Sequence, residues 1–395
     1  MSWWQTTVIC DMPGLWDNSG LRKLSELLPE IANLGFESLL IRPANPIVEG
    51  ETSFLPDFVA AAHRAGLRVI VRVFILPEGS VLEAPDSPPL VQLEDDVALV
   101  TERIRTALEA GVDGVDLGTI ELPGELVDDS ERSRAFSSAV NFALAELAGF
   151  DDDRILTAAL PAEPEEEFTR HLREDWFHHL RSSVMFDVEW RRDDMRQAIT
   201  RAFSQRDSLG LSTPWRHALV RPQAAQTART SADTGWARGA SPERHLAMNL
   251  FVCALPGSAY LPFLQVGGST HYPVENRSAV DVHIGATEQD QFNSQGIAQA
   301  LHIRKEQGLA VSPLAFIDGL PWAGDDTLVM LVGHTMVVLN MSERRISVPR
   351  SYWLIASSGE AGTIPGGGTS MAPDTCCWFQ TADLQPTDPG NYPRQ

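Results

Sequence analysis

The most telling segment of this chain reads Gly111-Val112-Asp113-Gly114-Val115-Asp116-Leu117-Gly118-Thr119. It is short, rich in apolar residues and punctuated by glycine. It follows a helical pattern in which apolar residues recur on one face, namely Val97, Val100, Ile104 and Leu108. A buried strand directly after an amphipathic helix is typical of a βαβ unit. We therefore predict that this segment is one strand of a parallel sheet.

The same alternation of β-rich runs and helical patterns extends in both directions from this strand. Seven further strands are predicted at Thr6 to Met12, Phe36 to Ile41, Leu67 to Phe74, Arg154 to Leu160, Ser183 to Val188, His217 to Arg221 and Ser258 to Phe263. Alternating strands and helices favour a parallel sheet covered by helices. Eight such units close naturally into a (β/α)8 TIM barrel, which we expect over residues 1–308.

The pattern changes after Gly308, where short strands of period two follow one another between turn residues. They are predicted at Thr327 to Gly333, Met336 to Asn340, Ser351 to Ala356 and Thr375 to Phe379. This indicates a small antiparallel C-terminal β domain over residues 309–385. Residues 386–395 are polar and rich in proline, so we expect a disordered tail.

Composition excludes several classes of function. The net charge of −22 argues against nucleic acid and against anionic membranes as partners, because both need a basic surface. No apolar run reaches the roughly 20 residues that span a bilayer, and residues 1–5 lack the features of a secretory signal. The four cysteines form no disulfide framework. A cytoplasmic protein is the expectation.

Several segments carry a family likeness. Trp3-Trp4-Gln5 stands just before the first predicted strand, and Ala254-Leu255-Pro256-Gly257-Ser258-Ala259-Tyr260-Leu261 leads into the last barrel strand. Together with the segment at 111–119, they resemble glycoside hydrolase family 13, the α-amylase and α-glucosidase family, and especially its oligo-1,6-glucosidase and trehalose-synthase-like branch. The resemblance covers nearly the whole chain and implies a barrel followed by a β domain.

The family's catalytic residues do not carry over. In the family pattern G-V-D-G-F-R-L-D-V the final Asp is the nucleophile, and on that alignment Asp116 stands at the Arg and Gly118 at the nucleophile. Ala159 lies at or beside the acid/base Glu. Arg72 replaces the Asp that ends strand three, and Arg221 falls in the His-Asp pair after strand seven. The short stretch between strands three and four implies that the family's domain B is deleted.

These replacements argue against the family's chemistry. Retaining glycosidases need two carboxyl groups about 5 to 5.5 Å apart. We therefore expect no catalytic residues and predict a pseudo-glycosidase that acts as a binding, regulatory or structural subunit. A protein partner or self-association would use the open top of the barrel. The resemblance in fold to glycosyl hydrolases is strong, but we interpret it as common ancestry and not as a sign of activity.

Charged residues nevertheless cluster near the predicted strand ends, where barrel active sites lie. They are Asp11, Arg42, Arg72, Asp116, Asp187, Glu189 and Arg221. Either they form ion pairs that fill the old cavity, as buried charges require, or their arginines bind an anion. The second alternative predicts an enzyme or sensor for a small carbohydrate or anionic metabolite at the remodelled mouth.

No metal or cofactor is expected. His171, Asp175, His178 and His179 fall in one predicted helical segment, but no H-E-x-x-H motif or cysteine partner completes a zinc site. The sequence also lacks a P-loop and a dinucleotide-binding glycine pattern.

Overall fold

The computed structural model describes residues 2–12, 16–43, 53–73, 94–119, 130–151, 153–160, 162, 165–217, 235–263 and 288–381. Eight parallel strands form its first and larger sheet. They are β1 (Val8–Asp11), β2 (Ser38–Ile41), β3 (Arg68–Arg72), β4 (Gly114–Thr119), β5 (Ile155–Leu160), β6 (His179–Ser182), β7 (Pro214–Arg216) and β8 (Ser258–Pro262).

This sheet curls into a barrel. The order of hydrogen-bonded strands is β6-β5-β4-β3-β2-β1-β8-β7, so β1 pairs with β2 on one side and with β8 on the other. The two outer strands, β6 and β7, lie next to each other and bring the ends of the sheet together. The predicted (β/α)8 architecture is confirmed.

Helices follow most of the strands. They are α1 (Asn18–Asn33), α2 (Leu55–Arg64), α3 (Glu94–Glu109), α4 (Ser130–Phe150), α5 (Glu165–Arg173), α6 (Val184–Asp187), α7 (Arg192–Asp207), α8 (Pro242–Ala254) and α9 (Glu288–Glu306). The first begins where the Asp17 carboxylate accepts a hydrogen bond from the Gly20 amide, 2.7 Å away, which satisfies one of the free N–H groups of the first turn. Its apolar face is buried against the barrel through Leu21, Leu24, Leu28 and Ile31.

The interior of the barrel changes character along its axis. Buried apolar side chains from five strands form a separate layer, consisting of Ile9, Leu40, Ile70, Ile155 and Tyr260. Trp3 and Trp4 pack against this layer from the short 3-10 turn before β1. Since that turn precedes β1, these residues close the N-terminal end of the barrel. Charged side chains occupy the C-terminal end.

The C-terminal region is antiparallel, as predicted. Its strands are β9 (Leu314–Phe316), β10 (Thr327–Val332), β11 (Thr335–Asn340), β12 (Ile346–Pro349), β13 (Tyr352–Ser357), β14 (Ala361–Ile364), β15 (Gly368–Met371) and β16 (Thr375–Thr381). Five form a sheet of order β13-β16-β11-β10-β9, and three form a second sheet of order β12-β15-β14. The five-stranded sheet contacts α8, which attaches it to the barrel. The expected tail at 386–395 lies outside the described residues.

One strand prediction was wrong, and another falls mostly outside the described residues. The sixth strand is not Ser183 to Val188, where the chain forms the short α6, but the preceding His179–Ser182. The seventh is Pro214–Arg216, whereas only the first residue of the predicted run at 217–221 is described. Both strands carry polar or charged residues into the barrel. For that reason the apolar runs beside them gave a stronger but misleading strand signal.

Two further expectations concern the connection between β3 and β4 and the absence of membrane-spanning helices. β3 ends at Arg72 and α3 begins at Glu94, so the connection between them is short, and the deletion of domain B stays a prediction. Within the described part of the chain, no helix has the length and apolarity required to cross a membrane.

Candidate functional site

Asp116 lies at the centre of a buried group of charges. Its carboxylate accepts a hydrogen bond from Arg72 Nε at 2.7 Å, one from Arg181 Nη2 at 2.5 Å and one from the Thr157 hydroxyl at 2.7 Å. Asp116 and Arg181 are fully buried, and the side chain of Arg72 is 13 % exposed. The carboxylate is therefore held by two guanidinium groups inside the barrel.

The register of the parallel strands explains why these residues meet. Arg72 on β3 pairs with Asp116 on β4, and Asp116 pairs with Thr157 on β5. Residues paired in a parallel sheet point to the same face, here the barrel interior. Arg181 on β6 pairs with Ala159, two residues beyond Thr157, so its long side chain reaches back to Asp116.

Asp11 and Arg216 complete the group from β1 and β7. Arg72 Nη2 lies 3.7 Å from Asp11 Oδ2, so Arg72 contacts both carboxylates. Arg216 is 8 % exposed, and no hydrogen bond or ion pair joins its side chain to the side chain of another described residue. We call Asp11, Arg72, Asp116, Arg181 and Arg216 the barrel charge cluster.

The pKa values reflect this arrangement. Burial alone would raise the pKa of Asp116, but the charges of Arg181 and Arg72 and the hydrogen bonds from Arg72 and Thr157 outweigh it, so that pKa is well below its usual value. Burial raises the pKa of Asp11, against the opposing charges of Arg72, Arg181 and Arg216. Burial and the charges of Arg181 and Arg72 lower the pKa of Arg216 to about 9. At neutral pH the arginines and Asp116 are charged.

The structure places the predicted site residues unevenly. Asp11, Arg72 and Asp116 belong to the cluster, and Arg42 is half-buried directly after β2. Burial and, to a lesser extent, the charges of Arg72 and Arg103 lower the pKa of Arg42 to about 10. Asp187 ends α6 and Glu189 follows it, and both are exposed; Asp187 is near enough to Arg216 for the two charges to interact, but it is not one of the buried residues of the cluster. Arg221 lies outside the described residues.

Sequence reasoning missed Arg181 and Arg216. Both lie on the two strands that were placed too late in the chain. A usable signal existed in His179-Leu180-Arg181-Ser182, where polar and apolar residues alternate with the period of a strand. Leu180 is packed in the main core, whereas His179 and Arg181 face the barrel interior.

The positions assigned to the family's catalytic carboxyls hold none. Gly118 has a positive φ of 75° at an irregularity in the pairing of β4 with β5. Ala159 is a buried methyl group, 1 % exposed. Among the described residues the only buried carboxyls are Asp11 and Asp116.

A second polar layer lies beneath the cluster. The Tyr260 hydroxyl donates to His179 Nδ1 at 2.7 Å, and His179 Nε2 donates to the Trp4 carbonyl oxygen at 2.7 Å. Burial lowers the pKa of His179 to about 3, so this imidazole is neutral. The guanidinium carbon of Arg181 lies 4.6 Å from the centre of the Tyr260 ring. This layer links the cluster to the N-terminal end of the barrel.

The predicted histidine segment does not exist as one helix. His171 lies on α5, whereas Asp175 and His178 follow that helix and His179 begins β6. Asp175 has a positive φ of 53°, which ends the helical path. In the portion of the chain that the structure describes, no three histidine, cysteine or carboxylate side chains are grouped to hold a metal ion.

A cavity of about 670 Å³ lies at the other end of the barrel. Its lining comes from the segments before β1, β7 and β8 and from the start of the C-terminal region, including Thr6, Thr213, Gly257 and Val311. Barrel chemistry belongs to the opposite face. This cavity is therefore separate from the barrel charge cluster.

Known proteins share this architecture without close sequence likeness. No protein-family profile and no curated protein sequence matches the chain. Its structure is similar to an α-glucosyl transfer enzyme, XgtA (TM-score 0.64, 13 % identity, 96 % of this chain and 100 % of that one). It is also similar to an α-amylase from H. orenii (0.64, 12 %, 95 % and 99 %) and to a debranching enzyme from Nostoc punctiforme (0.61, 11 %, 96 % and 99 %).

These similarities define the class of fold. The chain is a (β/α)8 barrel with a C-terminal β domain, arranged as in α-amylase-family enzymes over about 96 % of its length. At such low identity the likeness concerns the fold, and function must be argued from the site.

Proposed function

We propose that this protein is a catalytically inactive barrel of the α-amylase type that serves as a binding, regulatory or structural subunit. The observation that supports this most strongly is the barrel charge cluster. Where a glycosidase of this fold needs free carboxyl groups, Asp116 is held by Arg72, Arg181 and Thr157.

A carboxylate in this state is poorly suited to glycoside chemistry. As a nucleophile it would have to give up hydrogen bonds from two charged donors, each of which stabilises it by about 1.5 to 3 kcal/mol. As a general acid it would have to carry a proton near neutral pH, but the pKa of Asp116 is lowered by those same donors. Gly118 and Ala159 supply no carboxyl in its place.

The cluster fits a structural role instead. Buried charges are tolerated when they are paired and hydrogen-bonded. Arg72 bridges Asp116 and Asp11, and Arg181 adds a strand on the far side. Charged contacts thus join four of the eight strands inside the barrel. They would stabilise the barrel fold without providing glycosidase activity.

A protein partner is the proposed user of this scaffold, and the C-terminal sheet offers a surface for one. β13 is an outer strand in the described sheet. On it Trp353 is 51 % exposed and Leu354 39 % exposed. An outer strand that carries exposed apolar side chains favours association with another chain.

The test compares complexes formed by matched variants. Tagged wild-type protein is recovered from its native cells, and its mass and subunit ratio are measured by light scattering. Trp353→Glu should lose the stoichiometric partner, or the self-association, that wild type retains. Phe142→Glu alters an equally exposed aromatic residue on α4 and should keep it. A wild-type protein that is strictly monomeric and recovers no stoichiometric partner would contradict the proposal.

One observation supports the alternative small-ligand function at the barrel mouth. The cluster contains three arginines but only two carboxylates. Such an excess of arginine favours binding of an anion.

A further inference from the structure

We propose that Arg181, Arg216 and Arg72 form a binding site for a small protonated oxyanion, of the hydrogen phosphate type, at the C-terminal end of the barrel interior. The anion is free phosphate or the phosphate group of a small metabolite. The inference rests on the proposed non-catalytic role and assigns that role a class of ligand.

The barrel charge cluster contains more guanidinium groups than carboxylates. Three guanidinium groups and two carboxylates lie together in the cluster, with little or no exposure to solvent. Within the buried cluster the guanidinium groups outnumber the carboxylates by one; the charge of Arg216 also acts on Asp187, but Asp187 is exposed to solvent. A buried charge without a counter-charge is strongly destabilising. A bound anion would supply the missing charge.

Arg181 carries buried N–H donors without acceptors in the described part of the chain. Arg181 is fully buried, yet among the described residues its Nε and Nη1 groups have no hydrogen-bond partner. The guanidinium carbon lies 4.6 Å from the centre of the Tyr260 ring, and the hydroxyl of that tyrosine already bonds to His179. Buried donors of this kind are normally bonded. Planar arginine forks match the oxygens of phosphate.

Arg216 belongs to the cluster but lacks an ion-pair partner in it. It lies close enough to Arg72, Arg181, Asp11 and Asp116 for their charges to act on it, but it forms no ion pair with a described residue. Arg216 is 8 % exposed and the side chain of Arg72 is 13 % exposed, whereas Arg181 is fully buried.

Asp11 favours an oxyanion that still carries a proton. Its Oδ1 atom is buried and has no hydrogen-bond partner among the described residues, although Oδ2 lies near Arg72. An acceptor beside an anion site repels a fully deprotonated ligand but accepts a hydrogen bond from a ligand O–H group. Inorganic phosphate carries such a group throughout the neutral range, and a phosphate monoester carries one below its second pKa of about 6, whereas sulfate carries none. The site should therefore prefer phosphate to sulfate.

The experiment is calorimetric titration of the full-length protein with inorganic phosphate, sulfate and glucose 6-phosphate at pH 6.5 and constant ionic strength. Wild type should bind one phosphate per chain and bind sulfate at least about tenfold more weakly, as loss of one hydrogen bond to a charged group implies. Glucose 6-phosphate distinguishes a metabolite from the free ion: tighter binding than phosphate assigns the metabolite.

Matched variants locate the site. Arg216→Gln should weaken phosphate binding at least about tenfold, whereas Arg345→Gln, an exposed surface arginine, should leave it unchanged. Asp11→Asn should reduce the preference for phosphate over sulfate, because the amide can donate to either anion. If Arg216→Gln does not fold, Arg216→Lys keeps the charge without the fork and should bind phosphate with intermediate affinity.

Absence of saturable phosphate binding to wild type, or binding unchanged in both Arg216 variants, would overturn this assignment. The same preparation is assayed for turnover of α-glucosides. No binding and no turnover would reject the anion site alone, whereas turnover would reject the proposed function on which it rests.

Discussion

Arg72 Nε lies 2.7 Å from Asp116 Oδ2, and the two residues face each other in register on neighbouring strands of the barrel. Arg72 also reaches Asp11, while Arg181 contacts the other oxygen of Asp116. The pair is thus the centre of a network whose removal should be felt by the whole barrel.

The first prediction concerns the charge of Asp116. Asp116→Asn leaves Arg72 and Arg181 without their shared counter-charge, and loss of one partner of a buried ion pair costs about 3 to 5 kcal/mol. The free energy of unfolding in urea should fall by that amount. Asp193→Asn removes an 81 % exposed carboxylate that pairs with Arg192, and should change stability by less than about 0.5 kcal/mol. Equal, small effects of the two changes would show that the buried network contributes little.

The second prediction is a pH dependence set by His179. Its pKa is lowered by burial to about 3 in the folded protein, whereas an unfolded chain binds the proton near the usual value of 6.5. As pH falls below 6.5 the unfolded state takes up a proton that the folded state does not, so stability decreases. The contribution approaches about 1.4 kcal/mol per pH unit until pH nears the folded pKa.

This dependence is measured by urea unfolding at several pH values between 7 and about 4. His179→Gln should show a shallower decline than wild type. His334→Gln, at an exposed position, should keep the wild-type slope. Identical slopes for wild type and His179→Gln would contradict the neutral, buried histidine.

The third prediction tests the closure of the barrel at β8. Gly257 has a φ of 108°, and a Cβ there would lie 2.1 Å from the Thr213 carbonyl oxygen, just before β7. Gly257→Ala should therefore destabilise the protein by about 2 kcal/mol or more, through backbone strain and steric overlap. Gly149 lies on the exposed side of α4 with no atom near its would-be Cβ.

Gly149→Ala should act in the opposite direction and stabilise the protein by about 0.5 to 1 kcal/mol, since alanine favours the helix. Thermal unfolding of the two variants provides the comparison. A Gly257→Ala protein as stable as wild type would mean that β7 and β8 do not approach as described.

Much of the barrel could be predicted because several of its strands are runs of apolar residues. β3, read from Leu67 to Phe74, is nearly continuous in apolar residues, as expected for a strand buried on both faces. The end of α8 was equally clear, since Pro256 and Gly257 follow its apolar run at once. In these segments local pattern and tertiary burial agree.

This apolar pattern is lost in the strands that carry charged side chains into the barrel interior. His179 and Arg181 face inward on β6, and Arg216 does so on β7, so these strands resemble surface segments in sequence. Two of the five residues of the barrel charge cluster, Arg181 and Arg216, were missed for that reason. The pairing of Arg72 with Asp116 could be anticipated, because both lie at the ends of adjacent predicted strands. The reach of Arg181 across β5 depends on side-chain geometry that sequence does not encode locally.

The most direct test of the account is turnover of maltose and of 4-nitrophenyl α-glucoside by rigorously purified protein over long incubations. A non-catalytic barrel predicts no product above that formed by Asp116→Asn under the same conditions. Saturable turnover by wild type that is abolished in Asp116→Asn, but kept in Asp193→Asn, would contradict it.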